Sequence, residues 1–248
     1  MKKQIIITTS WDDGHKLDLK LAKLLKKYRI KGTFYISPKN REFRKEDLLS
    51  NQEIIKLNRD FEIGAHTMTH PRLTKISEKQ AFSEIIESKK YLENLIREEV
   101  RCFCYPGGDY NKKIKELVRR TGFIVARTTK EILITTPGDL LEFGTTIQAI
   151  PLTIRGVCGQ VRYAVKNNIK LIPLIITKDW AKIAKNTFDY VNQNGGLWHL
   201  WGHSWVINKY DGWNKFERVL NYISNRKNMK YLTNFEVIKN SNNKKKKQ

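Results

Sequence analysis

Apolar and polar positions along this chain follow two periods, and the two alternate. Ile5 to Thr9 is an unbroken β-branched run of the kind that forms a buried strand. Leu17, Leu21, Leu24, Leu25 and Tyr28 then recur at helical spacing, which predicts an amphipathic helix over residues 15 to 28. Gly32 to Ser37 reads as the next strand, closed by Pro38, and a short helix near 50 to 58 leads to a strand over Phe61 to Ala65. Ser77-Glu78-Lys79-Gln80 has the form of a capping box and opens a helix whose buried face is Phe82, Ile85, Ile86, Leu92 and Ile96.

The alternation continues with a strand from Val100 to Tyr105 and a sharp loop at Pro106-Gly107-Gly108. A helix from Asn111 to Thr121 is stopped by Gly122, and Phe123 to Thr128 is again a strand. Residues 130 to 144 read as irregular, with a turn at Pro137-Gly138, and are placed as a loop over a site. Strands near 145 to 150 and 171 to 176, a helix near 179 to 193 and a strand after Gly195-Gly196 complete the pattern. Repeated strand-helix units imply an α/β protein with a parallel sheet, and this many of them predict closure into a barrel. No repeat or Pro/Gly/Ser linker divides the chain, so residues 1 to 236 read as a single domain and 237 to 248 as a basic, disordered tail.

Composition narrows this picture. At 248 residues with 40% hydrophobic content the chain can bury a sizeable core. No apolar run approaches the roughly 20 residues that span a bilayer, and charged residues follow Ile7 too soon for a signal peptide, so a cytoplasmic location is expected. Three cysteines, with Cys102 and Cys104 close together and Cys158 apart, suggest reduced thiols. The formal charge of +22 favours polyanions, yet the lysines are spread over nearly every segment and cluster only in the tail. No specific nucleic-acid partner is expected from such scattered charge.

The chemistry gathers at strand ends. Ser10-Trp11-Asp12-Asp13-Gly14-His15 places two carboxylates side by side just past the first strand, a conflict that a cation or a proton resolves. His66 and His70 supply two imidazoles at i and i+4 after another strand. Alone, Asp-Asp-Gly reads as a turn and His-x-x-x-His as a surface pair. Together, at the carboxyl ends of strands, they form a set of ligands that leaves open positions on a divalent metal.

Thr9 to Gly14, His66 to His70 and Phe103-Cys104-Tyr105-Pro106-Gly107-Gly108 resemble the first three motifs of the polysaccharide deacetylases, the NodB-homology family of carbohydrate esterases. Gly195 to Ser204 resembles the family's final His-bearing motif, and the likeness runs over roughly residues 4 to 225. The resemblance implies a distorted (β/α) barrel of parallel strands and a hydrolase that removes acetyl groups from N-acetylated sugars. By position it implies Asp13, His66 and His70 as ligands of one divalent metal ion, zinc first among those such donors accept, and Asp12 as general base. Gly107 matches the position whose backbone N–H would hold the oxyanion, and Tyr105, in the same loop, is expected to line the substrate cleft.

The leaving amine needs a proton from a late-sequence histidine, and His203 is favoured over His199 because Gly202 and Ser204 mark a strand-to-loop transition. His199 reads as a buried, hydrogen-bonded ring. One departure stands out: many family members carry Arg at the position of Cys104. Arg127, on the following strand, is expected to take over its role beside Asp12, against the plain alternative of a solvent-exposed strand-end charge. Of Trp198, Trp201, Trp205 and Trp213, one or two would line the cleft. Two other readings stay open here. One keeps the fold but takes a small or lipid-linked substrate; the other, resting on the charge, is a polyanion or nucleic-acid binding protein built on an inactive barrel.

Overall fold

The computed structural model describes residues 4–166 and 171–245, with side-chain detail through Ser241 at the C-terminal end. Its strands are β1 (Ile5–Asp13), β2 (Thr33–Ile36), β3 (Glu62–Ala65), β4 (Cys102–Cys104), β5 (Val125–Arg127), β6 (Ile147–Gln148), β7 (Gly196–Gly202) and β8 (Met229–Tyr231). The helices are α1 (Asp18–Lys27), α2 (Asn51–Asn58), α3 (Glu78–Ile96), α4 (Lys112–Arg120), α5 (Ile154–Lys166), α6 (Ile172–Ile175), α7 (Trp180–Asn194), α8 (Ser204–Lys209), α9 (Trp213–Ile223) and α10 (Asn234–Lys245).

Every strand pair is parallel, in the order β5-β4-β3-β2-β1-β7-β6. β1 is the longest strand and is buried along all nine residues, which is why its sequence is a continuous apolar and threonine run rather than an alternation. Its first half lies between β7 and β8, and its second half between β7 and β2. One stretch joins the outer edges of the sheet: Phe143 bridges Arg127 of β5, and Ile147–Gln148 pairs with β7. The sheet thereby curls into a distorted barrel, the architecture expected from the alternation.

Local signals explain most boundaries. The capping box at Ser77 forms in full, with Ser77 accepting from the Gln80 amide and Gln80 accepting from the Ser77 amide. A second box at Ser50 and Glu53 opens α2. Three expectations are corrected. The stretch 171 to 176 is the short helix α6 rather than a strand, because Pro173 cannot donate to a ladder but sits comfortably in a first helical turn. The strand expected over 145 to 150 shrinks to Ile147–Gln148. The tail expected from residue 237 begins inside α10, where Val237 and Ile238 are buried; only 246–248 of that tail lie outside the described residues.

Parallel strands starting on one side of the sheet end on the other, so their last residues share one rim. Asp12 pairs in register with Tyr35, Asp13 with Ile36, and Trp11 with Gly202. Ala65 pairs with Phe103, and Cys104 with Arg127. This register sets Asp12, Asp13, His66, the loop after β4, Arg127 and His203 around one opening.

Candidate active site

The rim encloses an open cleft of about 460 Å³ lined by Asp12, Asp13, His66, His70, Gly107, Trp201, His203 and Trp205 among others. Asp13 (φ 85°) and His70 (φ 65°) of this lining, and the buried Thr67 (φ 62°) beside His66, hold left-handed backbone without being glycine. Each such residue costs on the order of 1 kcal/mol, and the three converge on one side of the cleft. The Thr67 hydroxyl accepts from the His70 amide at 3.1 Å, closing the tight turn that swings His70 back toward His66.

On that side His66 Nε2 and His70 Nε2 face each other at 3.2 Å, and both face Asp13 Oδ1, at 3.6 and 3.4 Å. The other ring nitrogens are already committed. His66 Nδ1 lies 2.8 Å from the Cys104 carbonyl oxygen, which can only accept, so Nδ1 carries the proton. His70 Nδ1 donates to Glu42 at 2.9 Å. Burial, with His70 alongside, drives the His66 pKa down to about 4, so this ring is neutral near pH 7. Two imidazole nitrogens and a carboxylate oxygen thus converge on a common point. A divalent cation resolves that arrangement, and the donor set of two nitrogens and one oxygen suits it. Trp205 Nε1 donates to the other oxygen, Asp13 Oδ2, at 2.7 Å and fixes the carboxylate's rotation.

Asp12 has different company. Its Oδ2 is ion-paired with Arg127, which is fully buried, and Cys104 Sγ lies 3.8 Å away. Arg127 therefore is not the exposed strand-end charge of the plain reading; it reaches Asp12 from the position beside Cys104. Burial alone would raise the Asp12 pKa, but Arg127, then His66 and His203, outweigh it and hold the carboxyl below its ordinary value. Burial pushes the Cys104 thiol well up, so it is an uncharged neighbour and not a nucleophile. Arg127 also lies over the Trp201 ring, 4.4 Å from its centroid.

The two late histidines separate cleanly. His203 Nε2 lies 3.9 Å from both Asp12 Oδ2 and Asp13 Oδ2, and its ring is partly open to the cleft. His199 is fully buried behind the site, with Nε2 2.8 Å from Ser10 Oγ and Nδ1 3.1 Å from the Gly144 carbonyl. Burial and then Arg127 lower its pKa to about 3. Gly107 sits at φ +58° in a 3₁₀ turn, a conformation that disfavours a side chain. Tyr105 is among the residues that line the cleft, while its ring is buried, its hydroxyl donates to the Leu141 carbonyl and it stacks on Tyr110, which anchors it in the core beneath.

Glu42, the Cys104 carbonyl and the specific role of Trp205 were not foreseen. Glu42 lies far from any motif in sequence, and a backbone carbonyl has no residue-type signal at all.

A sequence profile of the family described as polysaccharide deacetylase matches residues 1–126. YxkH of Bacillus subtilis (strain 168), whose name carries the same description, is 29% identical over 130 residues, covering 52% of this chain and 46% of its own. A peptidoglycan-N-acetylglucosamine deacetylase of Bacillus cereus is 28% identical over 122 residues, 48% of this chain and 54% of that relative. The chain spans about half the length of these curated relatives. Among solved structures, a Mycobacterium smegmatis protein named for the same family superposes with a TM-score of 0.66 at 11% identity, over 99% of this chain and 92% of that one. The chitin deacetylase of the fungus Colletotrichum lindemuthianum gives 0.59 at 13% identity, over 94% and 86%. At these identities the agreement speaks for the fold.

Proposed function

This chain belongs to the polysaccharide deacetylase family, and on that premise we propose that it hydrolyses the acetamide of an N-acetylated sugar, with Asp13, His66 and His70 holding one divalent metal ion. The observation that carries the reading is the convergence of His66 Nε2, His70 Nε2 and Asp13 Oδ1, with the opposite ring nitrogens engaged by the Cys104 carbonyl and by Glu42. Zinc suits these donors, and cobalt, nickel, manganese and iron are accepted by the same set. A bound ion would supply Lewis acidity, acidifying a water and polarising the acetyl carbonyl.

The chain's own residues do the rest. Asp12, kept ionised by Arg127, takes the proton of the attacking water as general base. The Gly107 backbone N–H, in the loop after β4, donates to the oxyanion. His203, on the same cleft and 3.9 Å from both carboxylates, gives a proton to the departing amine, without which the C–N bond breaks slowly. Trp205 and Glu42 act by holding Asp13 and His70 in place. The polyanion-binding alternative gives no reason for two imidazoles and a carboxylate to converge at one corner of the cleft.

The test is acetate release by the metal-loaded protein from chitooligosaccharides and from monomeric N-acetylglucosamine, with and without a chelator. Release that a chelator abolishes and metal restores is expected. A folded, metal-loaded protein that frees acetate from no N-acetylated sugar would overturn the reading.

A further inference from the structure

From Pro151 to Lys178 the chain has no acidic residue, although it carries 25 Asp and Glu in all. This stretch holds α5 and α6, and three of the molecule's most exposed aliphatic side chains fall within it: Ile154 (64%), Val165 (60%) and Ile176 (63%). Ile154, Cys158, Val161 and Val165 follow one another at i, i+4, i+7 and i+11, so they form one stripe along α5. Ile154, Cys158 and Val165 are exposed and Val161 is half-buried. Arg155, Arg162 and Lys166 run along one edge of the stripe, all exposed, and among the described residues none of them is in an ion pair. The inward side of α5 is marked by buried Ala164 and by Gln160, whose amide donates to Glu131 at 2.6 Å. Glu131 lines the catalytic cleft. The helix therefore stands beside the cleft with its apolar and cationic side turned away from the protein.

We propose that this face of α5 docks on an anionic lipid leaflet and brings the cleft to the membrane surface. An aliphatic stripe edged by unpaired cations matches such a surface in both respects. Ile154 and Val165 would enter between headgroups while the arginine and lysine heads stay with the lipid phosphates. Two copies of the face would set like charges against each other with no carboxylate to offset them, so self-association is the poorer fit. Nucleic acid would satisfy the cations and leave the aliphatic stripe in water.

The experiment is co-sedimentation of the full chain with vesicles of phosphatidylcholine alone and of phosphatidylcholine with phosphatidylglycerol. Binding should be at least about tenfold stronger to the anionic vesicles and should weaken in about 0.5 M salt. The double variants Ile154→Ser/Val165→Ser and Arg155→Glu/Arg162→Glu should each lose at least about fivefold, while Lys79→Glu/Lys90→Glu, a charge reversal on exposed α3 positions, should bind nearly as the parent does. Equal loss in the α3 variant would mean attraction by net charge alone and would overturn the proposal. So would unaltered binding by Ile154→Ser/Val165→Ser, or a dimer in sedimentation velocity that this variant dissolves. Vesicle binding needs no acetate release, so failure here leaves the deacetylase reading untouched, and the reverse also holds.

Discussion

Asp12 and Asp13 are adjacent in the chain and share one strand end, yet the structure gives them opposite surroundings. Asp13 faces the Nε2 atoms of His66 and His70 and an indole N–H, and among the described residues no guanidinium or ammonium pairs with it. Asp12 faces a buried guanidinium, a partner that neutralises it within the protein. The lesson is that identical side chains take different roles according to which charges meet them. In the proposed mechanism the carboxylate with no cation of its own receives one, and the carboxylate already paired is kept ionised for proton transfer.

The contrast can be broken most sharply on the Asp13 side. His70→Ala removes one donor of three, and should abolish acetate release, by about 1000-fold or more, together with bound metal. Elemental analysis of the purified variant checks this; full metal occupancy would show that the ligand set is drawn wrongly. On the other side, Asp12→Asn should lower kcat by about 100-fold or more, measured by steady-state acetate release. His203→Ala should also remove most turnover, whereas His199→Ala should lower Tm and leave kcat within about threefold, since its ring only ties Ser10 to Gly144. A fully active His203→Ala protein would transfer the acid role elsewhere.

A subtler probe concerns Arg127. Asp12 works as a base only when ionised, and Arg127 holds its pKa below the ordinary value against burial, which pulls the other way. Without Arg127 the burial remains and the pKa rises, so the acidic limb of the pH–rate profile should move upward in Arg127→Met. An unchanged limb would remove Arg127 from the account. The smallest effect is on stability. Burial leaves His66 and His199 neutral in the fold, with pKa values of about 4 and about 3 against an ordinary 6.5. Between 6.5 and those values the unfolded chain binds protons that the folded chain does not, so stability is lost as pH falls through that window. Urea denaturation of metal-free protein at pH 7 and at pH 4.5 should show the loss, and His199→Gln should reduce it.

The N-terminal half of this site was legible in the sequence because its residues stand at strand ends, and the strands announce themselves by unbroken apolar runs such as Ile5 to Thr9. The position of Arg127 could be read as well, because adjacent parallel strands put it in register with Cys104. Other parts depend on contacts between distant segments. Nothing near Glu42 signals that it will meet His70, 28 residues on, and the apolar stretch at 171 to 176 has the composition of a strand until Pro173 is weighed. Tyr105 lines the cleft, and what holds its ring there, the hydroxyl's bond to the Leu141 carbonyl 36 residues on, is again a contact that no motif announces.

The division between the two carboxylates is tested most directly by metal content in Asp12→Asn and Asp13→Asn, stripped, reloaded with zinc and measured side by side. The account predicts about one ion per chain in Asp12→Asn and nearly none in Asp13→Asn. Retention by Asp13→Asn with loss by Asp12→Asn would contradict it outright, and would mean that the roles of the paired carboxylates are reversed.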